Sequence, residues 1–168
     1  MNTAEIYWLH DLPIGRLAVM PRPRGDDWLP DEVSGWQRAG LNTVVSLLEP
    51  HEVRELGLAE EPALCQAASI EFISFPVADR GVPVSARDVM RLVEKLAADV
   101  RCGSAIGIHC RAGIGRSALL VACVLSKLGV AEKEVFPSIS QARGVRCPDT
   151  EEQTKWFASF VREADNAL

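Results

Sequence analysis

The sequence predicts an α/β fold in which a mainly parallel central sheet is flanked by helices on both faces. Apolar segments rich in β-branched residues alternate along the chain with segments of helical periodicity, and this alternation is typical of parallel sheets. One helical segment, residues 115–128, is apolar almost all round, which indicates a helix buried at the centre of the fold. A length of 168 residues suits one domain, so we expect residues 1–168 to form a single domain.

β-branched content and alternation of apolar residues predict five strands. These strands cover residues 6–9, 17–20, 43–47, 71–75 and 105–109. The stretch 21–25 carries two prolines and a glycine, and we interpret it as an exposed loop. The functional loops of such a sheet are expected beyond the carboxyl ends of its strands.

Helical periodicity predicts seven helices. They cover residues 30–39, 50–56, 60–68, 85–100, 115–128, 131–142 and 150–164. The best patterned is 85–100, which presents one apolar stripe and begins with Ser85 and Asp88 as a capping box. Four residues of the last helix are expected to face the core, namely Trp156, Phe157, Phe160 and Val161.

Composition argues against several classes of protein. The formal net charge of −5 disfavours nonspecific nucleic-acid binding, which needs a basic surface. The apolar run at residues 118–125 is much too short to span a membrane. The first residues lack the basic and apolar regions of a signal peptide, so we expect a cytoplasmic location. Three scattered histidines do not indicate a metal centre, and we expect neither a metal nor an organic cofactor.

The five cysteines are Cys65, Cys102, Cys110, Cys123 and Cys147, an odd set without a C-x-x-C pair. This pattern fits neither a disulfide framework nor a zinc site. We therefore expect free thiols, one of which is reactive. Cys102, Cys123 and Cys147 are candidate oxidation partners of Cys110, but a packing or surface role is the simpler interpretation of each.

The segment His-Cys-Arg-Ala-Gly-Ile-Gly-Arg-Ser, residues 109–117, joins the strand 105–109 to the apolar helix 115–128. A strand, a tight loop and a helix in this order direct backbone N–H groups and the positive helix end at one point. Such a point suits a phosphate dianion and favours the thiolate form of a cysteine. The segment, called the signature loop below, is therefore the predicted site.

Individual residues of the signature loop fit this chemistry. Gly113 and Gly115 allow the chain to curl with its amides inward. Arg116 can grip two phosphate oxygens with its planar fork, and Ser117 can place a hydroxyl beside the sulfur. A lone cysteine is more often a buried small hydrophobe, and a tight turn alone would explain the glycines. However, His109, Cys110, the two glycines, Arg116 and Ser117 occur together at this spacing, and this combination favours the phosphate site.

The pattern His-Cys-x-x-Gly-x-x-Arg-Ser resembles the signature of the cysteine-dependent protein tyrosine phosphatases, and the short chain resembles their compact, dual-specificity-like branch. The resemblance implies that Cys110 attacks phosphorus to form a cysteinyl-phosphate and that Arg116 clamps the phosphate and the transition state. It also implies that Ser117 helps to break the thiophosphate bond and that His109 holds the loop without touching substrate. The residues expected to bind substrate are Arg111, Ala112, Gly113, Ile114, Gly115 and Arg116.

A leaving oxygen needs a proton, so a carboxylic acid is required on a neighbouring loop. Asp79 is the best candidate, because it lies in the Pro- and Gly-bearing loop 76–83 after a predicted strand. An ordinary turn aspartate is the competing interpretation, and the residues alone do not decide between the two. The family resemblance favours Asp79 as the general acid. Glu49 and Asp149 are weaker alternatives.

Residues 141–153 have two interpretations. Phosphatases of the family often wall the pocket with a loop here, so Arg143, Arg146, Thr150 or Gln153 are candidates for contact with phosphate or water. Alternatively, Thr150 and Gln153 form a T-x-x-Q capping box for the last helix, which we take as their main role. Gln153 is thus a supporting residue.

These observations predict a metal-independent protein phosphatase that acts on phosphotyrosine, with phosphoserine and phosphothreonine left open. Phosphoinositide phosphatases of this type place lysines in the loop, whereas this loop carries Arg111, Ala112 and Ile114, so a phosphorylated protein is the expected partner. We expect a monomer that binds neither nucleic acid nor membrane. Two alternatives stay open: a Cys-x5-Arg sulfurtransferase or arsenate reductase, and a phosphate-binding module without turnover.

Overall fold

Five strands form one sheet in the computed structural model, which describes residues 4–167. They are β1 (Tyr7–Trp8), β2 (Arg16–Met20), β3 (Thr43–Ser46), β4 (Glu71–Ser74) and β5 (Ala105–His109). The strand order is β1-β2-β5-β3-β4, with β5 at the centre. Only β1 pairs antiparallel in this sheet, so the prediction of a mainly parallel sheet is confirmed.

Each predicted helix is present, with ends that differ by no more than two residues from the expected ones. They are α1 (Leu29–Arg38), α2 (Pro50–Glu55), α3 (Glu61–Ala67), α4 (Ala86–Arg101), α5 (Arg116–Lys127), α6 (Glu132–Arg143) and α7 (Glu151–Asn166). A short 3-10 turn at Asp26–Trp28, which the sequence did not predict, precedes α1. Between residues 4 and 167, none of the helices combines the length and the apolar character needed to cross a membrane.

Apolar cores lie on both faces of the sheet because side chains alternate along its strands. Leu17 and Val19 of β2 belong to the core that α4, α5, α6 and α7 cover. Ala18 and Met20, which point the other way, belong to the core that α1 and α3 cover. The prediction of helices on both faces is therefore confirmed.

The helix α5 occupies the centre of the larger core. Every residue from 116 to 125 is buried, as its apolar sequence predicts. Phe157 and Phe160 of α7 are buried in the same core, and Trp156 and Val161 pack against it half-buried. This burial fixes α5 rigidly, and with it the loop from which α5 begins.

Two local expectations are wrong. The loop 21–25 is not exposed, because the Arg22 N–H donates to the Arg111 carbonyl at 3.1 Å and Pro23 is buried. The capping box at the start of α4 is only half formed: Ser85 Oγ accepts from the Asp88 N–H at 3.2 Å, and among the described residues Asp88 returns no side-chain bond. The loop 21–25 is held against the signature loop by a long-range backbone hydrogen bond, which local sequence propensity cannot predict.

Candidate active site

The signature loop lies at the carboxyl end of the central strand β5 and at the amino end of α5. Its tight curl depends on Gly113, which has a positive φ of 71°. A Cβ at this position would lie 2.7 Å from the backbone of Met20 and Pro21, so a side chain would both strain the backbone and collide with β2. The loop is therefore pressed against the end of the neighbouring strand.

Contacts behind the loop fix the direction of its peptide groups. Arg143 donates to the carbonyls of Ala112 and Gly113 at 3.2 Å each, and the Arg22 N–H binds the carbonyl of Arg111. In a trans peptide the C=O and the following N–H point in opposite directions. The amides that follow these three carbonyls therefore point to the other side of the loop. Arg143, a candidate for phosphate contact, instead supports the loop from behind.

Cys110 and Ser117 face each other across the loop. Cys110 Sγ lies 3.2 Å from Ser117 Oγ, and both residues are buried. The hydroxyl is therefore in place to donate a hydrogen bond to the sulfur, as the sequence led us to expect. A thiolate that receives such a bond is a better leaving group.

His109 lies behind Cys110 and is fully buried. Its Nε2 is 2.6 Å from Glu61 Oε1, its Nδ1 is 3.2 Å from the Cys110 carbonyl, and its ring stacks on Trp36 with centroids 6.1 Å apart. Both ring nitrogens are thus engaged within the protein. The expectation that His109 holds the loop is consistent with this geometry, and the buried partner Glu61 was not predicted.

Arg116 is the most connected side chain of the site. Its Nη1 donates to Glu52 Oε2 at 2.8 Å and to the Val77 carbonyl at 2.9 Å. Its Nη2 donates to Glu52 Oε1 at 2.9 Å and to Asp79 Oδ1 at 3.0 Å. All four Nη hydrogens are therefore used. Within residues 4–167, Nε–H has no protein acceptor, which leaves the Nε–Nη2 edge as the side on which an oxyanion can bind.

Glu52, which the sequence did not single out, is the buried counterion of Arg116. Burial of its carboxylate raises the pKa of Glu52, but hydrogen bonds from Arg116 and the Glu49 backbone, together with the Arg116 charge, outweigh this and lower it below its usual value. For Arg116, burial lowers the pKa, but the Glu52 bond and nearby negative charge raise it above its usual value. Both groups are therefore ionised at neutral pH.

Asp79 lies on a tight turn of the loop 76–83. The Gly81 N–H donates to the Ala78 carbonyl at 2.8 Å, and Arg80 adopts a positive φ of 58°. The Asp79 side chain is 54% exposed, and its carboxylate accepts from Arg116. The predicted acid and the predicted phosphate clamp are thus in direct contact.

A cavity of about 240 Å³ brings most of the predicted residues together. It is lined by Cys110, Arg111, Ala112, Ile114, Gly115, Arg116, Asp79 and Gln153, and by Arg80 and Asp149. His109, Gly113 and Ser117 are not among its lining residues, and Gly113 instead faces β2. Three larger cavities, of about 360, 580 and 880 Å³, share only Arg111 and Asp149 with it and contain neither Cys110 nor Arg116.

The remaining cysteines are free, and burial disfavours the thiolate form of three of them. Burial raises the pKa of the Cys147 thiol to about 11, and burial with the nearby Glu61 charge raises that of Cys65 to about 12. Burial also raises the pKa of Cys123, whereas Cys102 is exposed. Among the residues described, no cluster of three or more histidine, cysteine or acidic side chains is arranged to hold a metal ion.

Comparison with known proteins places this geometry in a family. Residues 6–159 match the family model described as "PTP-SAK: Swiss Army Knife protein, DSP-PTPase phosphatase domain". Over 121 residues the chain is 31% identical to the protein tyrosine phosphatase domain-containing protein 1 of Danio rerio, which covers 62% of this chain. The chain spans only 17% of the length of that relative.

Solved structures of phosphatases share the fold. Kinase associated phosphatase, crystallised with its catalytic-site cysteine replaced by serine, superposes with a TM-score of 0.89 at 20% identity, covering 100% of this chain and 99% of that one. PTPMT1 in complex with PI(5)P gives a TM-score of 0.73 at 19% identity, covering 90% and 94% of the two chains. At these identities the likeness concerns the fold.

The buried Arg116–Glu52 pair predicts a pH-dependent stability. Because folding lowers the pKa of Glu52, its stabilising effect is complete above the unfolded value of 4.5 and is lost as the pH falls through the folded value. We expect Glu52→Ala to reduce the free energy of unfolding by about 3–5 kcal/mol at pH 7, because the buried Arg116 charge loses its buried counterion and is left with the partly exposed Asp79. This deficit is expected to shrink as the pH falls well below 4.5.

Urea unfolding at pH 7 and at a pH well below 4.5 measures this effect, with Glu55→Ala as the matched control. The Glu55 side chain is 60% exposed and pairs with Arg111 at 3.4 Å, so its removal is expected to cost about 1 kcal/mol or less. Equal losses in the two variants, or a Glu52→Ala deficit that does not change with pH, would contradict the assignment.

Proposed function

This chain belongs to the PTP-SAK family of DSP-PTPase phosphatase domains, and we propose that it is a protein phosphatase that hydrolyses phosphotyrosine through a cysteinyl-phosphate. The observation that carries the proposal is the meeting of Cys110, Arg116 and Asp79 in one cavity of about 240 Å³. A nucleophile, an oxyanion clamp and a carboxylic acid are the groups that the reaction requires. We assign them to one phosphatase domain with the signature loop 109–117 and the acid loop 76–83.

In the first half-reaction the Cys110 thiolate attacks phosphorus while the bond from phosphorus to the leaving oxygen breaks. Asp79 gives its proton to that oxygen, which leaves as a neutral hydroxyl. The phosphate takes the Nε–Nη2 edge of Arg116 and displaces the Asp79 carboxylate, which in the free protein accepts from Nη2 at 3.0 Å. Once it has left the arginine, Asp79 takes up a proton from solvent, and this is the proton that it gives to the leaving oxygen. The same displacement frees Asp79 for the leaving group. The inward-facing amides of the signature loop stabilise the remaining oxygens.

In the second half-reaction water attacks phosphorus and the sulfur–phosphorus bond breaks. The ionised Asp79 takes a proton from this water, and inorganic phosphate is released. The electron pair of the broken bond returns to the Cys110 sulfur. Ser117 Oγ, which lies 3.2 Å away, donates a hydrogen bond to the departing thiolate. Asp79 gives the proton from this water to solvent as its carboxylate returns to Arg116. The resting enzyme is then restored without a metal or an external cofactor.

The cavity supports a phosphorylated side chain as substrate. Its volume of about 240 Å³ lies below the roughly 300–1,000 Å³ of pockets for drug-sized ligands. Asp79 and Asp149 offset the charge of its arginines Arg80, Arg111 and Arg116, which disfavours a headgroup with several phosphates. Ile114 offers apolar surface to an aromatic ring. Tyrosine is also a better leaving group than serine or threonine, because its hydroxyl is acidic, with a pKa of about 10.

Two alternatives require less of the site. A sulfurtransferase or arsenate reductase needs no acid beside the arginine, and a phosphate-binding module without turnover needs neither Asp79 nor the Ser117 hydroxyl. The contacts of Arg116 with Asp79 and of Ser117 with Cys110 support a phosphatase over both. We further propose that the protein acts as a monomer in the cytoplasm, where its five free cysteines stay reduced.

Replacement of the nucleophile is expected to abolish the activity. The Cys110→Ser protein should show no hydrolysis of p-nitrophenyl phosphate, because a serine hydroxyl is a far weaker nucleophile than a thiolate. The exposed Cys102 provides the matched control, and Cys102→Ser is expected to keep full activity. Wild-type activity should be inhibited by vanadate and unaffected by EDTA. Full activity in Cys110→Ser would disprove the mechanism.

Replacement of the acid is expected to slow turnover and to leave binding intact. Asp79→Asn should lower kcat by about 10²–10⁴, because the amide keeps its shape but has no carboxylic proton to donate. The affinity for phosphate should not fall, because the amide carries no charge that competes with phosphate for Arg116. Asp149→Asn is the matched control, since Asp149 lines the same cavity and was the alternative acid. Steady-state measurement of kcat and KM compares the two variants. A loss confined to Asp149→Asn would reassign the acid.

Substrate preference is tested with a phosphotyrosine peptide, a phosphoserine peptide of the same sequence and a soluble phosphoinositide. We expect kcat/KM to be highest for phosphotyrosine, lower for phosphoserine and lowest for the phosphoinositide. Release of inorganic phosphate measures all three. A preference for the phosphoinositide would show that the offsetting charges of the cavity do not select against a headgroup with several phosphates.

A further inference from the structure

The buried side chain of Gln153 joins the acid loop, the signature loop and the start of α7, and it has no assigned part in the two half-reactions. It is the third residue of α7 and is fully buried. We propose that Gln153 is a positioning residue, which holds the Asp79 turn at the place where it can protonate the leaving oxygen. This inference rests on the proposed phosphatase function.

The two ends of the Gln153 amide have different partners. Its Oε1 accepts from the backbone N–H groups of Asp149 and Thr150, both at 3.1 Å. Its Nε2 donates to the carbonyl of Gly81 in the acid loop, also at 3.1 Å. Donors face the oxygen and an acceptor faces the nitrogen, so the orientation of the amide is determined. One side chain therefore connects the start of α7 with the loop that carries Asp79.

The signature loop packs against the same amide. A Cβ at Gly115 would lie 3.0 Å from Gln153 Nε2 and 3.1 Å from Oε1. Gly115 directly precedes Arg116, so the amide lies beside the backbone from which the phosphate clamp begins. Gln153 thereby sets the distance between the acid loop and the signature loop.

The backbone on either side of the turn that carries Asp79 is anchored by hydrogen bonds at two points. On one side the Val77 N–H donates to the Leu47 carbonyl at 3.0 Å, and the Val77 carbonyl accepts from Arg116. On the other side the Gly81 carbonyl accepts from Gln153. Between these anchors the side chains of Asp79 and Arg80 are 54% and 68% exposed, so neither is buried in the core. Loss of the Gln153 bond would leave the turn anchored at Val77, through the Asp79–Arg116 contact, which the phosphate displaces, and through the exposed ion pair of Arg80 with Asp149 at 3.8 Å.

A capping role alone does not explain why residue 153 is a glutamine rather than a glutamate. Glutamate closes a capping box equally well, and its charge suits the positive end of a helix better. Only the amide has a donor for the Gly81 carbonyl, because a carboxylate in its place would repel that oxygen. Gln153→Glu therefore keeps the helix cap and removes the link to the acid loop.

The experiment compares Gln153→Glu with Thr150→Ala, which weakens the cap but keeps the link to Gly81. Each variant is measured on phenyl phosphate, whose leaving group needs a proton, and on p-nitrophenyl phosphate, whose leaving group needs it much less. We expect Gln153→Glu to lose about tenfold or more in kcat on phenyl phosphate and clearly less on p-nitrophenyl phosphate. Thr150→Ala should lower Tm without changing the ratio of the two rates.

A double-mutant cycle with Asp79→Asn separates positioning of the acid from general damage. Once the acid is absent, Gln153→Glu is expected to cause little further loss on phenyl phosphate. Equal losses on both substrates, or full additivity with Asp79→Asn, would overturn the proposal. Should Gln153→Glu fail to fold, Gln153→Asn, whose amide is one methylene too short to reach Gly81, is measured in the same way.

A wild-type protein that hydrolyses neither ester would contradict the proposed function itself. Failure of the Gln153 inference has a different signature, since the wild-type protein would then be active while the ratio of the two rates in Gln153→Glu matched that of the wild type. The two failures are thus distinguishable in one set of assays.

Discussion

The buried ion pair of Arg116 with Glu52 is the contact on which the rest of the site depends. Arg116 is the first residue of α5, where the helix already presents its positive end, so a buried cation there is doubly unfavourable without a counterion. Glu52 supplies it through two hydrogen bonds of 2.8 and 2.9 Å. The pair also connects α2 to α5 across the end of the sheet. The orientation of the guanidinium, and therefore the edge offered to an oxyanion, follows from this pair.

The Arg116 guanidinium binds two carboxylates that differ in how firmly they are held. Glu52 holds one edge permanently, whereas Asp79 holds a single hydrogen of the other edge through a partly exposed carboxylate. Of the two carboxylates, only Asp79 can be displaced without leaving a buried charge unpaired. An incoming dianion therefore competes with Asp79 and leaves Glu52 in place. In the proposed mechanism, binding of phosphate and release of Asp79 from Arg116 are therefore one event.

Local patterns in the sequence predicted much of this site, and long-range pairs could not be predicted. The signature loop, the turn at Asp79 and the Thr150–Gln153 cap each depend on neighbouring residues, and the structure shows all three. Glu52 and Glu61 are different, because they meet Arg116 and His109 from 64 and 48 positions away. A glutamate on a short helix is usually exposed, and only the folded topology buries these two. Arg143 shows the same limit, since residue type does not reveal which side of a loop an arginine approaches.

The loops of the site differ in how firmly they are held, and this difference suits their tasks. The signature loop is fixed by β5, by the buried α5 and by carbonyl contacts with Arg22 and Arg143, so its amides are preorganised for an oxyanion. In the acid loop Val77 is buried and Val82 packs against the core, whereas the turn between them is anchored by individual hydrogen bonds at Val77 and Gly81. A loop held in this way can let Asp79 move from Arg116 to the leaving oxygen while its ends stay fixed. The glutamine that caps α7 therefore contributes to the chemistry through geometry, by limiting how far that movement extends.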